Sequence, residues 1–211
     1  MLRNNMFISL SPNMMMVFFL CAGFVLGALF YNIQTPPTTT ALAQVAGQAP
    51  TNLLNYQNPT YGIKMQYPTD WTASTSGIPS YNGIIGFYSP LQSLSDTSPA
   101  ELTMSITTYS QAISLDEYTK AILGALEKQG IKVDESSQNT LAGKPGYKVT
   151  FSPPSPSTQT TPVSLKVMQI WTIIDNKVYE FSFNADSTKF TTYLPTVQKM
   201  LDSFQIQPPS V

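Results

Sequence analysis

The sequence has 211 residues, with 11 basic against 12 acidic side chains and a net charge of −1. Charged residues make up only 11% of it, and no basic run supplies the concentrated cationic surface that nucleic-acid binding requires. Histidine is absent altogether, which removes the commonest general base and the commonest zinc ligand.

Taken in chain order, residues 1–13 carry Arg3, the only charge before Lys64. Met14 to Phe30 reads MMMVFFLCAGFVLGALF, an unbroken apolar or small-residue run. At ~1.5 Å per residue, extension to Ile33 makes it just long enough to cross a hydrocarbon core. Residues 14–33 are therefore predicted to be a transmembrane anchor or a signal segment. Arg3 places residues 1–13 on the cytoplasmic side and the rest outside. Ala41-Leu42-Ala43 matches a small-x-small cleavage pattern, but it lies far past the apolar run. An uncleaved anchor is the favoured reading, and cleavage after Ala43 is the alternative. Cys21, the single cysteine, lies inside the run. It can form no intrachain disulfide, so it says nothing about redox compartment. Leu20 precedes it where a lipidation signal wants a small residue.

Residues 34–52 are rich in Pro, Thr, Ala and Gln, with no charge and no hydrophobic period. Such a stretch cannot bury enough apolar surface to offset its ordering entropy, and is read as a flexible tether. The globular domain is placed at 53–207, followed by a tail at 208–211. Asn58-Pro59-Thr60 is not a glycosylation sequon, because proline occupies its middle position.

Within the domain, Ile63, Met65 and Tyr67 alternate with Lys64 and Gln66 before Pro68. Gly83 to Tyr88 is a second strand candidate. Leu102, Met104 and Ile106 form a third alternating set, and Tyr147, Val149 and Phe151 a fourth. Period two marks half-buried strands. Val167 to Asn184 reads as a hairpin about Asp175-Asn176, two residues that tolerate positive φ. That turn sets Thr172 opposite Tyr179, Ile170 opposite Phe181 and Met168 opposite Phe183 on an apolar face. The other face pairs Ile173 with Val178, Trp171 with Glu180 and Gln169 with Ser182. Ser152 to Pro162 reads as an exposed excursion at a hairpin tip.

Two helices are predicted. The first begins at a capping box, Ser114 to Glu117, carries Leu115, Tyr118, Ile122, Ala125 and Leu126 at helical spacing, and ends at Gly130. The second opens near Pro195, with Val197, Met200, Leu201 and Phe204 as its stripe and Tyr193 and Leu194 just before it. The predicted order is strand, strand, strand, helix, four strands, helix. The fold class is α+β, an antiparallel sheet flanked by helices.

Catalytic chemistry finds little support. Serines are frequent, but no histidine activates one and no Gly-x-Ser-x-Gly elbow occurs. Ser187-Thr188-Lys189, the nearest Ser-Lys cluster, reads as a turn. A metal would need oxygen ligands alone. Asp134-Glu135, and Asp175-Asn176 at the hairpin tip, are candidates for a weak calcium site, but adjacent acids at strand ends are usually just solvated. No phosphate loop is present. Trp171 falls on the more polar face of the hairpin. It is either buried under a second helical layer, the favoured reading, or exposed at a partner surface.

The segment Asn58-Pro59-Thr60-Tyr61-Gly62-Ile63-Lys64-Met65-Gln66-Tyr67-Pro68-Thr69-Asp70-Trp71 resembles the opening of the PsbP family. There, a Tyr-Gly-hydrophobic strand runs into Tyr-Pro-x-x-Trp. The aromatic strand from Val178 to Phe183 and a last helix closing on Asp202-Ser203-Phe204 are also similar. The resemblance spans Tyr56 to Ile206. It implies an antiparallel sheet between helical layers, an α/β/α sandwich, and no catalytic activity. The plant member is a lumenal subunit of photosystem II that helps retain calcium and chloride, and a Ran-binding protein shares the fold. This chain differs in its sparse charge, its predicted anchor and its lack of a transit peptide.

The expected function is a membrane-tethered, non-catalytic, extracytoplasmic accessory or assembly subunit of a membrane or cell-surface complex. It needs no cofactor and no nucleic acid, and it requires a protein partner. The alternative is a small-ligand domain for a lipid, glycan or cation, with a pocket lined by Tyr61, Tyr67, Trp71, Tyr81 and Trp171. Trp71, Tyr81 and Trp171 are the candidate partner or ligand surface.

Overall fold

The computed structural model describes residues 52–76, 78, 82–93, 96, 98–154 and 164–207. The predicted anchor at 14–33, the cleavage position at Ala43, the tether up to residue 51 and Tyr81 lie outside the described residues. Among the described residues, no helix is long and apolar enough to cross a membrane.

The elements follow as β1 (Leu53–Asn58), β2 (Ile63–Pro68), β3 (Thr72–Ser74), β4 (Gly83–Tyr88), β5 (Glu101–Thr108), α1 (Leu115–Lys128), β6 (Val133–Leu141), β7 (Lys144–Phe151), β8 (Leu165–Ile174), β9 (Lys177–Asp186), α2 (Ser187–Asp202) and β10 (Gln205–Ile206). Seven strands form one antiparallel sheet in the order β3-β4-β5-β9-β8-β7-β6. Three form a second, in the order β1-β2-β10.

The β8–β9 hairpin has the expected register, with Ile170 opposite Phe181 and Trp171 opposite Glu180. Its turn works because Asp175 accepts a left-handed conformation, φ 57°. A one-residue slip would move Phe181 and Phe183, both fully buried, to the other face. One face of the large sheet meets α2 and the small sheet through Leu102, Ile170, Phe181, Phe183, Val197 and Phe204. The other face meets α1 through Tyr118, Ile122 and Leu126 against Val149, Trp171 and Val178. The architecture is α+β, with one helix on each face of the large sheet.

Helix α1 forms as its sequence demands. Ser114 Oγ accepts from the Glu117 backbone N–H at 3.2 Å, and the Ser114 N–H donates to Glu117 Oε2 at 3.0 Å. At the other end Gly130 takes φ 69°, while the Ile131 and Gly130 N–H groups donate back to Leu126 and Glu127 oxygens at 2.9 Å.

The second helix corrects the sequence reading. It opens at Ser187, not near Pro195, so Ser187-Thr188-Lys189 is its first turn and Tyr193 and Leu194 lie within it. Asp186 is the cap: its carboxylate accepts the Thr188 N–H at 2.9 Å. Pro195 sits in the interior, where it deprives the Thr191 carbonyl of a helical donor. Both residues are exposed, so water can take that bond. The predicted order also left out β1, β3 and β10. Strand β1 (LLNYQN) is mostly exposed and lacks alternation. The other two span three and two residues, too short to show a period.

Gly62 explains the Tyr-Gly step before β2. It holds φ 61°, and a Cβ there would stand 2.6 Å from the Gln207 backbone oxygen. Gly62→Ala is expected to destabilise the domain by about 2 kcal/mol or more, from left-handed strain plus that clash. Urea denaturation should show a lowered midpoint with an unchanged slope.

Candidate functional site

Among the described residues, the aromatic side chains of the sequence reading do not converge on one pocket. Tyr67 packs its ring 5.0 Å from Phe87, and Trp71 stands edge-on to Tyr193 at 5.8 Å. The Tyr-Pro-x-x-Trp segment thus ties the small sheet to the core and to α2. Trp71 is 5% exposed and Trp171 0%. Trp171 lies under α1, 5.7 Å from the Tyr118 ring and 5.8 Å from Tyr147, with its indole N–H donating to Thr119 Oγ1 at 3.2 Å. Tyr61 is exposed, at the turn before β2.

The α1 face of the large sheet is unusually polar for an interior. Glu180 accepts the Tyr118 hydroxyl at 2.8 Å, and burial pushes its carboxyl up to about 7. Tyr109 lies close by: its own burial, with the Glu180 charge, raises its phenol to about 12. Glu101 is likewise raised to about 7 by burial, against the pull of the Tyr88 hydroxyl opposite it. Glu101 Oε1, Gln169 Oε1 and Asn184 Nδ2 are buried with no hydrogen-bond partner among the described residues. Their strands place them together, since Asn184 faces Glu101 across β5–β9 and Gln169 lies diagonally beside it. This cluster has no solvent-accessible surface at those atoms, so in this conformation it receives no ligand.

The acidic pairs face lysines. Asp134 lies 3.9 Å from Lys166, and Glu135 lies 3.5 Å from Lys148. Asn176 donates from Nδ2 to the Tyr109 oxygen at 2.6 Å and accepts the Tyr109 N–H at 2.8 Å, clamping the loop before α1. Among the described residues, no three acidic, cysteine or histidine side chains gather as metal ligands would. Elsewhere Lys189 bridges Asp96 and the Ser98 oxygen, pinning the β4–β5 connection to the first turn of α2. Burial pushes the Asp96 carboxyl up, but the Gln92 N–H, the Lys189 ammonium and the Ser98 N–H together hold it below its ordinary value.

Two surface recesses lie at the C-terminal end of α2, where the sequence reading placed no site. A cleft of about 450 Å³ is lined by Thr140, Ala142, Gln198, Asp202, Gln205 and Ile206 above a floor of Ile170, Leu201 and Phe204. A second, of about 310 Å³, lies on the outer face of the small sheet between Asn55, Gln57, Lys64, Gln66, Ser203 and Gln205. The two share Gln205. One signal for the first cleft is local: Ala142-Gly143 is a two-residue turn, and Ala142 takes φ 51° despite its Cβ.

No protein-family model matches the sequence, and neither does any curated protein. Solved structures are similar to it. The cyanobacterial PsbP of Synechocystis sp. PCC 6803 aligns over 79% of this chain and 98% of its own, at 13% identity and TM-score 0.53. LpqN of Mycobacterium tuberculosis, a protein involved in cell envelope biogenesis, aligns over 69% of this chain and 83% of its own, at 18% identity and TM-score 0.52. Protein PA94 of Pseudomonas aeruginosa aligns over 74% and 98%, at 13% identity and TM-score 0.50. At these identities the likeness establishes architecture and not activity. The described domain has a PsbP-like fold.

Proposed function

We propose that this chain is a membrane-tethered, extracytoplasmic, non-catalytic binding domain serving as an accessory or assembly subunit of a membrane or cell-surface complex. One observation carries the binding reading. Tyr67, Trp71 and Trp171 are used in packing, and the two clefts described above are half open to solvent and lined by mixed polar and apolar side chains. Open clefts of mixed polarity suit a protein partner better than an enclosed small molecule. The tether and the extracytoplasmic side rest on the apolar run 14–33 and on Arg3. The PsbP-like fold is compatible with this role. LpqN supports the setting, since that protein is involved in cell envelope biogenesis.

The test is mild crosslinking in native membranes, followed by purification and mass measurement of the intact chain. The expected result is a chain that retains residues 14–33 together with a stoichiometric protein partner. A chain beginning near Gln44 that crosslinks to nothing would overturn both the tether and the subunit role.

A further inference from the structure

Among the described residues the small sheet ends at β10, and that strand borders the larger cleft. Strand β10 lies outermost in the order β1-β2-β10. The Gln207 N–H donates to the Gly62 oxygen at 2.6 Å, so Gln207 belongs to a hydrogen-bonded pair with β2. Antiparallel pairing alternates, so the neighbouring residue Ile206, opposite Ile63, turns its N–H and C=O away from β2. Ile206 is also a wall of the cleft of about 450 Å³. Beyond it stand Thr140 and the Ala142-Gly143 turn of the large sheet. The floor is apolar (Ile170, Leu201, Phe204), and Asp202 is the only charged side chain among the described lining residues. The Asp202 carboxylate accepts Gln198 Nε2 at 2.8 Å through Oδ1 and meets no lysine or arginine among the described ion pairs.

We propose that this cleft takes an extended peptide segment of a partner protein, added as a strand beside β10. The segment carries one basic residue for Asp202 and an apolar residue for the floor. The proposal rests on the binding reading above and names its site and ligand class. Three features select the occupant. Main-chain groups of Ile206 turn away from β2 at a wall of the cleft, as strand addition requires. The apolar floor offers a place to one face of an alternating strand. A lone carboxylate at the rim complements a cation and repels an acidic or phosphate-bearing ligand.

The full chain, held in detergent micelles, is screened against an array of random octapeptides. The best binder is then remade with a fluorescein label for anisotropy titration. Enriched peptides should carry Lys or Arg within two positions of Val, Ile or Leu. Asp202→Lys should weaken the labelled peptide about tenfold and shift the array toward acidic sequences. That variant keeps its fold, because a lysine suits the C-terminal end of α2 better than an acid does. N-methylation of the peptide at its pairing backbone positions should abolish binding, which side-chain docking alone does not predict. No enrichment, or an affinity indifferent to both changes, overturns the proposal. So does self-association abolished by Asp202→Lys, which would make the occupant a second copy. A partner crosslinked in native membranes as efficiently by Asp202→Lys as by the natural chain overturns the cleft assignment alone. The absence of any partner with the natural chain instead removes the binding reading beneath it.

Discussion

Glu180→Gln is expected to leave stability nearly unchanged at pH 4 and to raise it by about 3 kcal/mol at pH 8. Burial against α1 lifts the carboxyl from its ordinary 4.5 to about 7. The folded state therefore holds a proton that the unfolded chain releases above about pH 4.5. A folded-state value raised above the unfolded one contributes stability below the unfolded value. That contribution fades as pH rises from 4.5 and is gone above about 7. Glutamine keeps the acceptor for the Tyr118 hydroxyl without the charge, so the variant escapes the loss. Glu101, also raised to about 7, adds a second loss of the same sign. The natural domain should then melt at a higher temperature near pH 5 than near pH 8, and Glu180→Gln should flatten that slope. A flat profile in the natural protein would mean that neither carboxyl is buried as described. The acid limb has another source. Asp96 is held below its ordinary value, so the Lys189 contact stabilises above about pH 4 and fails as pH falls through the lowered value.

Trp171→Ala should cost about 3–5 kcal/mol, enough to unfold much of a marginally stable domain. The indole is fully buried, edge-on to Tyr118, and its N–H is bonded to Thr119. Removal leaves a cavity on the α1 face and an unpartnered Thr119 hydroxyl. Trp171→Phe should cost less, since it keeps part of the ring volume and loses the N–H donor. Equilibrium urea unfolding of both variants checks the order. A residue that served an exposed partner surface would behave otherwise: binding would fall and the urea midpoint would stay.

These two residues also show what was legible in the sequence. The turn at Asp175-Asn176 set the β8–β9 register, and the pattern agreed because a one-residue slip would move Phe181 and Phe183 to the other face. Trp171 and Glu180 could thus be paired from the sequence alone. That Glu180 is buried could not, because its burial depends on α1 crossing that face, and pairwise helix placement has no local signal. The capping box at Ser114 was readable for the opposite reason, since the whole motif lies within one turn. Pro195 misled: proline marks a helix start often, but here Asp186 supplies a stronger cap upstream and Pro195 faces solvent. Of the cleft at β10, only the Ala142-Gly143 turn has a local signal. The cleft is assembled from a hairpin turn near residue 142, the end of α2 and a two-residue strand, and no window of sequence contains all three.

The small sheet draws on both ends of the described domain. Ser203 Oγ accepts the Gln66 N–H at 2.8 Å across 137 positions, and the Gln207–Gly62 bond closes the same seam. During synthesis β1 and β2 emerge first and can pair at once as a hairpin, yet β2 finds its other neighbour only after residues 205–207 have been made. Closing so long a loop is slow, and the edge of β2 that pairs with β10 stays unpaired until then. Closure of the small sheet thus waits for nearly the last residue of the described domain, and until then β2 offers an unpaired strand edge for a holding chaperone to protect.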